Sequence, residues 1–438
     1  MGAEMFHLAW FYEGASPQAW GRPFTGAIGR DWMKPDFSLD VARILERARF
    51  DYVLIEDSSY VADAYGKSMD IYLRNAIATP RQDPAVVANL MLGATSRIGI
   101  VPTLSTFAYP PYLAARLLGT LDQVSEGRAG WNMVTGSSTR AAQNFGLDDQ
   151  AEHDLRYDMA DEYMAVVNRL WDSWEPGAIV NDEAAGVFAD YTKVHTIDFE
   201  GKYYKVRGPL NSGPLPQGRP AIAQAGGSPR GREFAATHAH TVVTYVDGVP
   251  AMKEYRADVR ARMAAMGRNP DDCKVLFLVS PVIGGTEDEA AERLRQRELD
   301  ARQQAEIHLA HFAKITNIDF AELPMDEPLG QRELRTNGHQ QSLDQFVARN
   351  TGKTLREAAL GLGGSSCVEL VGTPDSIAAQ MDDVMTEVGG DGFLFVSSDL
   401  NRRTLSEVAD GLVPALQRRG LARTQYAHAQ FTDNLLEY

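Results

Sequence analysis

Short apolar runs alternate with longer segments of helical spacing along most of the chain. The runs predict strands at residues 6–12, 51–57, 97–106, 128–136, 220–227, 241–246, 274–285 and 391–398. Apolar residues that recur every three or four positions predict helices at 39–50, 83–96, 110–127, 153–174, 229–238, 249–267, 286–312, 373–389 and 404–420. Strands that alternate with helices indicate an α/β fold with a parallel sheet. Eight such steps favour a closed (β/α)8 TIM barrel over an open sheet.

Two stretches interrupt the alternation. Residues 175–219 are rich in glycine, proline and aromatic residues, with a predicted hairpin at 195–206, and residues 313–365 are mostly polar. The chain has 438 residues, whereas a plain barrel needs about 250. We therefore expect a single barrel domain over residues 1–438 with two insertions. We expect both insertions to follow strands, where long loops build the active-site face of a barrel.

The composition disfavours several classes of protein. The chain has 43 Lys plus Arg against 59 Asp plus Glu, a net charge of −16, which disfavours nucleic acid or an anionic membrane as the main partner. Two cysteines are too few for a disulfide framework or a zinc knuckle. The sequence has neither a signal-peptide pattern nor a run of 18 apolar residues. These limits predict a cytoplasmic enzyme.

The residues at the carboxyl ends of the predicted strands are the candidates for function, because active sites of barrels lie there. They are rich in hydroxyl and amide groups and poor in paired carboxylates, which suits the binding of a polar cofactor better than acid–base hydrolysis. The candidates are Asp57, Thr103, Ser105, Thr106, Asn132, Thr135, Ser137, Gly226, Gly227, Ser228, Ser397 and Ser398. An H-x-H pair, His238 and His240, lies at the opposite end of the barrel, so no metal site is predicted.

The segment QAGGSPRGREFAATHA (224–239) carries the sharpest local pattern, a strand that runs through two glycines into Ser228, Pro229 and a helix. Glycines let backbone N–H groups approach an oxyanion, and a helix start adds donors and a positive dipole end. One interpretation is a phosphate cradle, to which Arg230 or Arg232 adds charge. The other is a structural turn with a serine cap and a proline at the first helical position.

Three further residues are candidates for catalysis. His153 and Tyr157 lie four residues apart on the predicted helix 153–174, so they share a face and both can donate hydrogen bonds to a ligand. The alternative is an ordinary amphipathic helix with an interfacial histidine. His311 ends the helix before the second insertion, and insertion loops commonly cover barrel sites.

Six segments together resemble one known family. They are DYVLIEDSSY (51–60), VPTLSTFAYPPYLAAR (101–116), LDQVSEGRAGWNMVTGSS (121–138), NFG (144–146), HDLRYDMADEY (153–163) and QAGGSPRGREFAATHA (224–239). They are similar to the signatures of the nitrilotriacetate, dibenzothiophene-sulfone and dimethyl-sulfide monooxygenases, which are FMNH2-dependent members of the bacterial-luciferase-like superfamily. The resemblance extends from about residue 5 to about residue 420.

The resemblance implies a luciferase-like (β/α)8 barrel that binds FMN loosely. A separate NAD(P)H:flavin reductase would supply FMNH2, and O2 would add at flavin C4a to form the (hydro)peroxyflavin that oxygenates a small substrate, such as an organosulfur compound, a sulfone or an amine. The flavin carries the redox chemistry, and the protein orients it and excludes water. A homodimer or homotetramer is also implied.

The family's flavin contacts map onto residues of this chain. The resemblance assigns Asp57, Thr103, Asn132, His153, Tyr157, Gly227 and Ser228 to the flavin site. Many relatives carry one or two histidines after the first strand, whereas the corresponding run here, EGASPQAWGRP (13–23), has none. The substrate contacts of those relatives therefore cannot be carried over, and the aromatic first segment favours a neutral, apolar substrate. An F420-dependent dehydrogenase of the same superfamily is the alternative, although the WNxVT and HDLRY motifs favour the FMN branch.

Overall fold

Eight parallel strands form a closed barrel in chain order. The computed structural model describes residues 3–13, 20, 24–329, 334–363 and 366–438. The strands are β1 (His7–Tyr12), β2 (Tyr52–Ile55), β3 (Gly99–Ser105), β4 (Gly130–Val134), β5 (Ala221–Gln224), β6 (Thr241–Thr244), β7 (Lys274–Val279) and β8 (Gly392–Phe395). Each pairs in parallel with its neighbours, and β8 closes on β1. All eight lie within the predicted ranges, so the predicted (β/α)8 barrel is confirmed.

A layer of helices surrounds the barrel. The helices are α1 (Asp36–Arg47), α2 (Pro84–Gly93), α3 (Pro111–Val124), α4 (His153–Trp171), α5 (Pro229–His238), α6 (Gly248–Ala265), α7 (Pro374–Val388) and α8 (402–418, with a π-helical part Glu407–Leu412). Three of them begin with a capping side chain followed by proline: Asp83 caps α2, Ser228 caps α5 and Thr373 caps α7. Such pairs satisfy an N–H group of the first turn and set the backbone angle that a helix needs.

The core has two layers, which follow from the alternation of side chains along each strand. On β2, Tyr52 and Leu54 belong to the cluster inside the barrel, whereas Val53 and Ile55 pack against the surrounding helices. The interior cluster also contains Phe431 of the short helix Phe431–Leu435. That helix covers the amino-terminal end of the barrel, because Phe431 packs beside Gly99 at the first position of β3. The carboxyl-terminal end, called the barrel mouth below, is where the candidate residues lie.

The first insertion lies elsewhere than predicted. It connects the end of α4 at Trp171 to β5, so it follows a helix and extends from the amino-terminal end of the barrel. It contains two antiparallel hairpins, Ile179–Asp182 with Val187–Ala189 and Phe199–Glu200 with Lys205–Val206. The second hairpin lies where one was predicted. The expectation that this insertion follows a strand was wrong, because the long predicted helix 153–174 already completes the step after β4.

The second insertion follows β7, as expected, and so lies on the side of the mouth. Its main described helices are Glu287–Gln303, Ala305–Thr316, Gln340–Arg349 and Leu355–Leu360, and the predicted helix 286–312 is therefore two helices. They enclose a hydrophobic cluster of their own, which includes Phe312, Phe320 and Phe346 and also takes in Tyr72 from the β2–α2 connection. Within the described parts of the chain, no helix is both long enough and apolar enough to cross a membrane.

Candidate functional site

Two polar side chains pair at the mouth, on neighbouring strands. Thr103 and Asn132 face each other in the β3–β4 register, and the Asn132 amide nitrogen donates to the Thr103 hydroxyl at 2.8 Å. The Thr103 hydroxyl in turn donates to the Ile55 carbonyl at 2.7 Å. These bonds fix the asparagine so that its buried Oδ1 has no hydrogen-bond partner among the described residues. A buried acceptor without a donor is costly in a folded protein and indicates a ligand that supplies one.

The turn after β5 brings backbone and side-chain groups close together. A Cβ atom at Gly231 would lie 2.8 Å from the Tyr157 hydroxyl, and one at Gly226 would lie 2.7 Å from the Gly231 carbonyl. The glycines are therefore needed for close packing of α5 against α4 and the turn. The Gln224 amide donates to the Tyr157 hydroxyl at 3.4 Å, while its buried Oε1 lacks a partner among the described residues.

Ser228 caps α5 through its side chain, which accepts from the Gly231 amide at 3.0 Å. The capping interpretation of this motif is thus seen directly, and it leaves the phosphate interpretation open, because the backbone at a helix start still carries donors. The two arginines are engaged elsewhere. Arg230 forms ion pairs with Asp158 and Asp161, and the guanidinium of Arg232 pairs with a carboxylate on α6. Their expected role as added charge for a phosphate is therefore not supported.

His153 and Tyr157 share one face of α4, as predicted. Their rings lie edge to face with centroids 5.2 Å apart. His153 Nδ1 lies 2.7 Å from the Asp154 carboxylate. Burial raises the pKa of Tyr157, so its hydroxyl stays protonated near neutral pH. The pair thus lies next to the Gly231 turn, with a half-buried imidazole beside a protonated phenol.

Asp57 and His311 lie at another part of the mouth, towards the second insertion. Asp57 accepts from the Ser59 hydroxyl at 3.2 Å, and burial raises the pKa of its carboxyl group. Burial, with Lys314 and Arg81 nearby, lowers the pKa of His311 to about 3. A neutral imidazole cannot donate as an imidazolium, so the structure disfavours His311 as a general acid near neutral pH.

Three charged residues at this part of the mouth were missed. Glu56 forms an ion pair with Arg81, and its carboxylate lies 3.6 Å from Lys314 Nζ. A signal for Glu56 was present, because alternation along β2 places residues 52, 54 and 56 on the same, inward side. No local pattern pointed to Arg81 or Lys314, which reach the site from a loop and from the second insertion.

Most of the run 13–23 lies outside the described residues; only Glu13 and Trp20 of this run are described. Among the described residues, no group of histidine, cysteine and carboxylate side chains has the arrangement of a metal site. The arrangement at the mouth thus combines unpartnered buried acceptors, a helix start behind glycines and a protonated tyrosine. These are features of a site that binds a polar organic cofactor rather than of a hydrolytic centre.

Comparison with known proteins also indicates a protein that binds an organic cofactor. The family model described as luciferase-like monooxygenase matches residues 14–392. The chain is 36% identical over 440 residues to the dibenzothiophene-sulfone monooxygenase of Rhodococcus erythropolis (strain XP), which covers 98% of this chain and 96% of that protein. It is 38% identical to the dimethyl-sulfide monooxygenase of Hyphomicrobium sulfonivorans, with 89% and 81% covered. A solved structure of a riboflavin lyase with modified FMN superposes with a TM-score of 0.88 at 31% identity, covering 99% of this chain and 96% of that one.

The fold and the site define a barrel oxidoreductase. The chain belongs to the luciferase-like monooxygenase family, and the family resemblance read from its sequence is confirmed. An F420-dependent alcohol dehydrogenase is similar at a TM-score of only 0.58 and 15% identity, which shows the shared fold alone.

Proposed function

We propose that this chain is the oxygenating component of a two-component monooxygenase. It uses FMNH2, supplied by a separate NAD(P)H:flavin reductase, and O2 to oxygenate a small organic substrate. The observation that carries the proposal is the pair of buried acceptors without partners among the described residues, Asn132 Oδ1 on β4 and Gln224 Oε1 on the neighbouring β5. The Gly226–Ser228 turn follows β5. A flavin offers both a hydrogen-bond donor for its ring end and a phosphate for a helix start.

The spacing of the site fits a molecule of this length. Asp57 follows β2 and Ser228 follows β5, and these strands are three steps apart around the barrel. At roughly 4.8 Å per step, the two ends of the site are separated by roughly 14 Å along the rim. This distance is comparable to that between the ring and the phosphate of an extended FMN. We therefore assign Gly227 and Ser228 to the phosphate, and Thr103, Asn132 and Asp57 to the ring.

Each group of protein residues has a distinct task in this proposal. The Asn132 amide is held by Thr103 and orients the ring, while Tyr157, protonated because it is buried, donates a hydrogen bond beside the turn. His153 lies against Tyr157 and is placed to move a proton at the edge of the site. Bound reduced flavin supplies the electrons that activate O2. The second insertion follows β7 and contacts α4 through Asn337 and Arg156, so it shields the mouth from water.

The substrate class follows from relatives only in outline. The names of related enzymes include a sulfone, a sulfide and nitrilotriacetate as substrates, and we propose a small organosulfur compound, sulfone or amine here. Transfer of FMNH2 from the reductase by diffusion, a homodimeric or homotetrameric assembly and a cytoplasmic location belong to the same proposal.

The test is rapid mixing of anaerobic protein and FMNH2 with oxygenated buffer. We expect a transient absorbance distinct from those of reduced and oxidised FMN, and a rate of flavin oxidation that differs from that of unbound FMNH2. Oxidation at the rate of unbound FMNH2 would overturn the proposal. Hydride transfer from reduced F420 without O2 would then support the dehydrogenase instead.

A further inference from the structure

An ionic cluster formed by Glu56, Arg81 and Lys314 joins three separate segments at the mouth. Glu56 directly follows β2, Arg81 lies in the connection from β2 to α2, and Lys314 comes from the helix Ala305–Thr316 of the second insertion. The side chains are 24%, 6% and 8% exposed, respectively. Charged groups are rarely buried unless they are paired or bind a ligand, because removing each charge from water costs on the order of several kcal/mol.

The cluster lies beside the proposed position of the flavin ring. The Glu56 amide donates to the Tyr12 carbonyl at 2.9 Å, which extends the β1–β2 ladder by one residue. The alternation of β2 therefore continues, and Glu56 follows Tyr52 and Leu54 on the inward side. The preceding carbonyl, of Ile55, accepts from Thr103. A ligand at the cluster would thus be next to the Thr103–Asn132 pair.

The cluster has more positive charge in direct contact than its carboxylate balances. Arg81 and Lys314 share Glu56, and the buried Arg81 Nε has no hydrogen-bond partner among the described residues. Burial lowers the pKa of Lys314 to about 7, with Arg81 adding to the effect, and burial lowers that of Arg81 to about 10. The two lowered pKa values mean that the charged forms of Arg81 and Lys314 are disfavoured at this site. An added negative charge would stabilise these charged forms.

More distant carboxylates limit how much negative charge the site accepts. Glu13 raises the pKa values of both Lys314 and Arg81, and Asp57 raises that of Lys314. Asp57 itself is in surroundings that raise its pKa. One negative charge on a ligand would raise the pKa of Lys314 and so hold both Lys314 and Arg81 in their charged forms. A second negative charge on the same molecule would meet the carboxylates. A ligand with several carboxylates is therefore disfavoured.

We propose that Arg81 and Lys314 bind a single anionic oxo-acid group of the substrate, a carboxylate or a sulfinate, and that Glu56 sets the strength of that binding. The inference rests on the proposed function, since it names the substrate class of that site. It replaces the neutral, apolar substrate that the aromatic first segment favoured. The rest of the substrate, which carries the atom to be oxygenated, extends towards Thr103 and Asn132.

The test uses matched carboxylate and carboxamide pairs as probes: acetate and acetamide, benzoate and benzamide, 2-naphthoate and 2-naphthamide. Binding to the full-length protein with FMN is followed by saturation-transfer NMR and by calorimetry. We expect at least one carboxylate to bind about tenfold or more tightly than its amide, because the amide lacks the charge that Arg81 and Lys314 recognise. Absence of such a preference in all three pairs would overturn the proposal.

One variant that removes a positive charge and one that removes a negative charge distinguish recognition of the carboxylate from a merely structural role of the cluster. Arg81→Gln should weaken binding of the carboxylate about tenfold, whereas Glu56→Gln should tighten it several-fold, since removal of Glu56 leaves two cations for the ligand. Arg356→Gln is the matched control, because Arg356 pairs with Asp326 on the exposed surface of the same insertion. If Arg81→Gln does not fold, Arg81→Lys, which keeps the charge, takes its place in the binding measurement. Equal weakening by Arg81→Gln and Glu56→Gln would contradict the proposal.

The same samples distinguish this proposal from the proposed function. FMN affinity, measured by quenching of flavin fluorescence, should be unchanged in Arg81→Gln. A loss of FMN affinity in that variant would assign Arg81 to the flavin and overturn the substrate assignment. Failure of the wild-type protein to bind FMNH2 would instead overturn the proposed function, whatever the carboxylates do.

Discussion

At the residue scale, Ser228 shows how one side chain leaves room for a second role. Its hydroxyl is engaged by the Gly231 amide, so any contact with a phosphate comes mainly from the backbone of the turn. The side chain at position 228 therefore affects phosphate binding through the geometry of the helix cap and through its charge. A substitution that preserves the cap but changes the charge tests the phosphate assignment directly.

Ser228→Asp should raise the dissociation constant of FMN by about tenfold or more, because a carboxylate at the helix start repels the flavin phosphate. Aspartate is itself a good capping residue, so α5 should remain folded. Ser228→Asn is the matched control, since it has nearly the same shape and no charge. Fluorescence titration with FMN measures both. Equal affinities for the two variants would remove the phosphate from this turn.

The position of a residue at a strand end was enough to bring some of the candidate side chains together, while their role in flavin binding stays a prediction. Thr103 and Asn132 were singled out from their positions at strand ends, and the structure pairs them. Arg81 and Lys314 were not singled out, because their meeting with Glu56 depends on the path of a loop and an insertion. Such long-range contacts have no local periodicity or capping pattern that a single sequence displays.

At the element scale, the ends of the barrel depend on small residues that accept close neighbours. The short helix Phe431–Leu435 covers the amino-terminal end, and Phe431 lies against the first residues of β3 and β4. A Cβ atom at Gly99 would lie 2.5 Å from the Phe431 ring, and one at Gly130 would lie 3.1 Å from it. The glycines thus make room for an aromatic plug from far along the chain.

Gly99→Ala should destabilise the protein by about 1–3 kcal/mol, because the methyl group overlaps the Phe431 ring and the helix must shift. Urea unfolding followed by circular dichroism measures the loss. The double variant Gly99→Ala/Phe431→Leu should be less destabilised than the sum of its single variants, since the smaller side chain relieves the overlap. Strict additivity of the two changes would show that the contact does not exist.

The elements themselves were largely predictable, and their connections were not. Each barrel strand was visible as a short apolar run, and the Ser228–Pro229 pair marked the start of α5. The first insertion was assigned to the mouth because long loops usually lie there, yet it leaves the barrel after α4. The predicted helix 153–174 matches α4 and already placed this insertion after a helix. The error therefore came from applying the usual position of long barrel loops, and not from the periodicity.

At the scale of the whole molecule, we propose that the barrel and the second insertion form one cooperative domain. The insertion's cluster of Phe312, Phe320 and Phe346 includes Tyr72, which belongs to the β2–α2 connection of the barrel. The Tyr72 hydroxyl donates to the Ala310 carbonyl at 2.9 Å. A shared core of this kind couples the unfolding of its two parts, so we expect a single transition.

The stability of the whole molecule should fall in mild acid, because histidines from different regions are buried in a neutral state. Burial lowers the pKa values of His311 to about 3 and of His240 to about 4. The unfolded chain takes up protons below about pH 6.5, whereas the native protein does not. The free energy of unfolding is therefore highest above that pH and decreases as the pH falls from about 6.5 towards 4.

His240 allows the clearest test of this pH dependence. Its Nδ1 accepts from the Ile222 amide at 3.0 Å, and the nearby charges are Arg268, Asp272 and Arg219. His240→Asn keeps an acceptor in the same place without a titrating ring. Between about pH 7.5 and about pH 5, the wild type should lose about 2 kcal/mol more than this variant. Identical curves for the wild type and His240→Asn would exclude His240 as a source of acid lability.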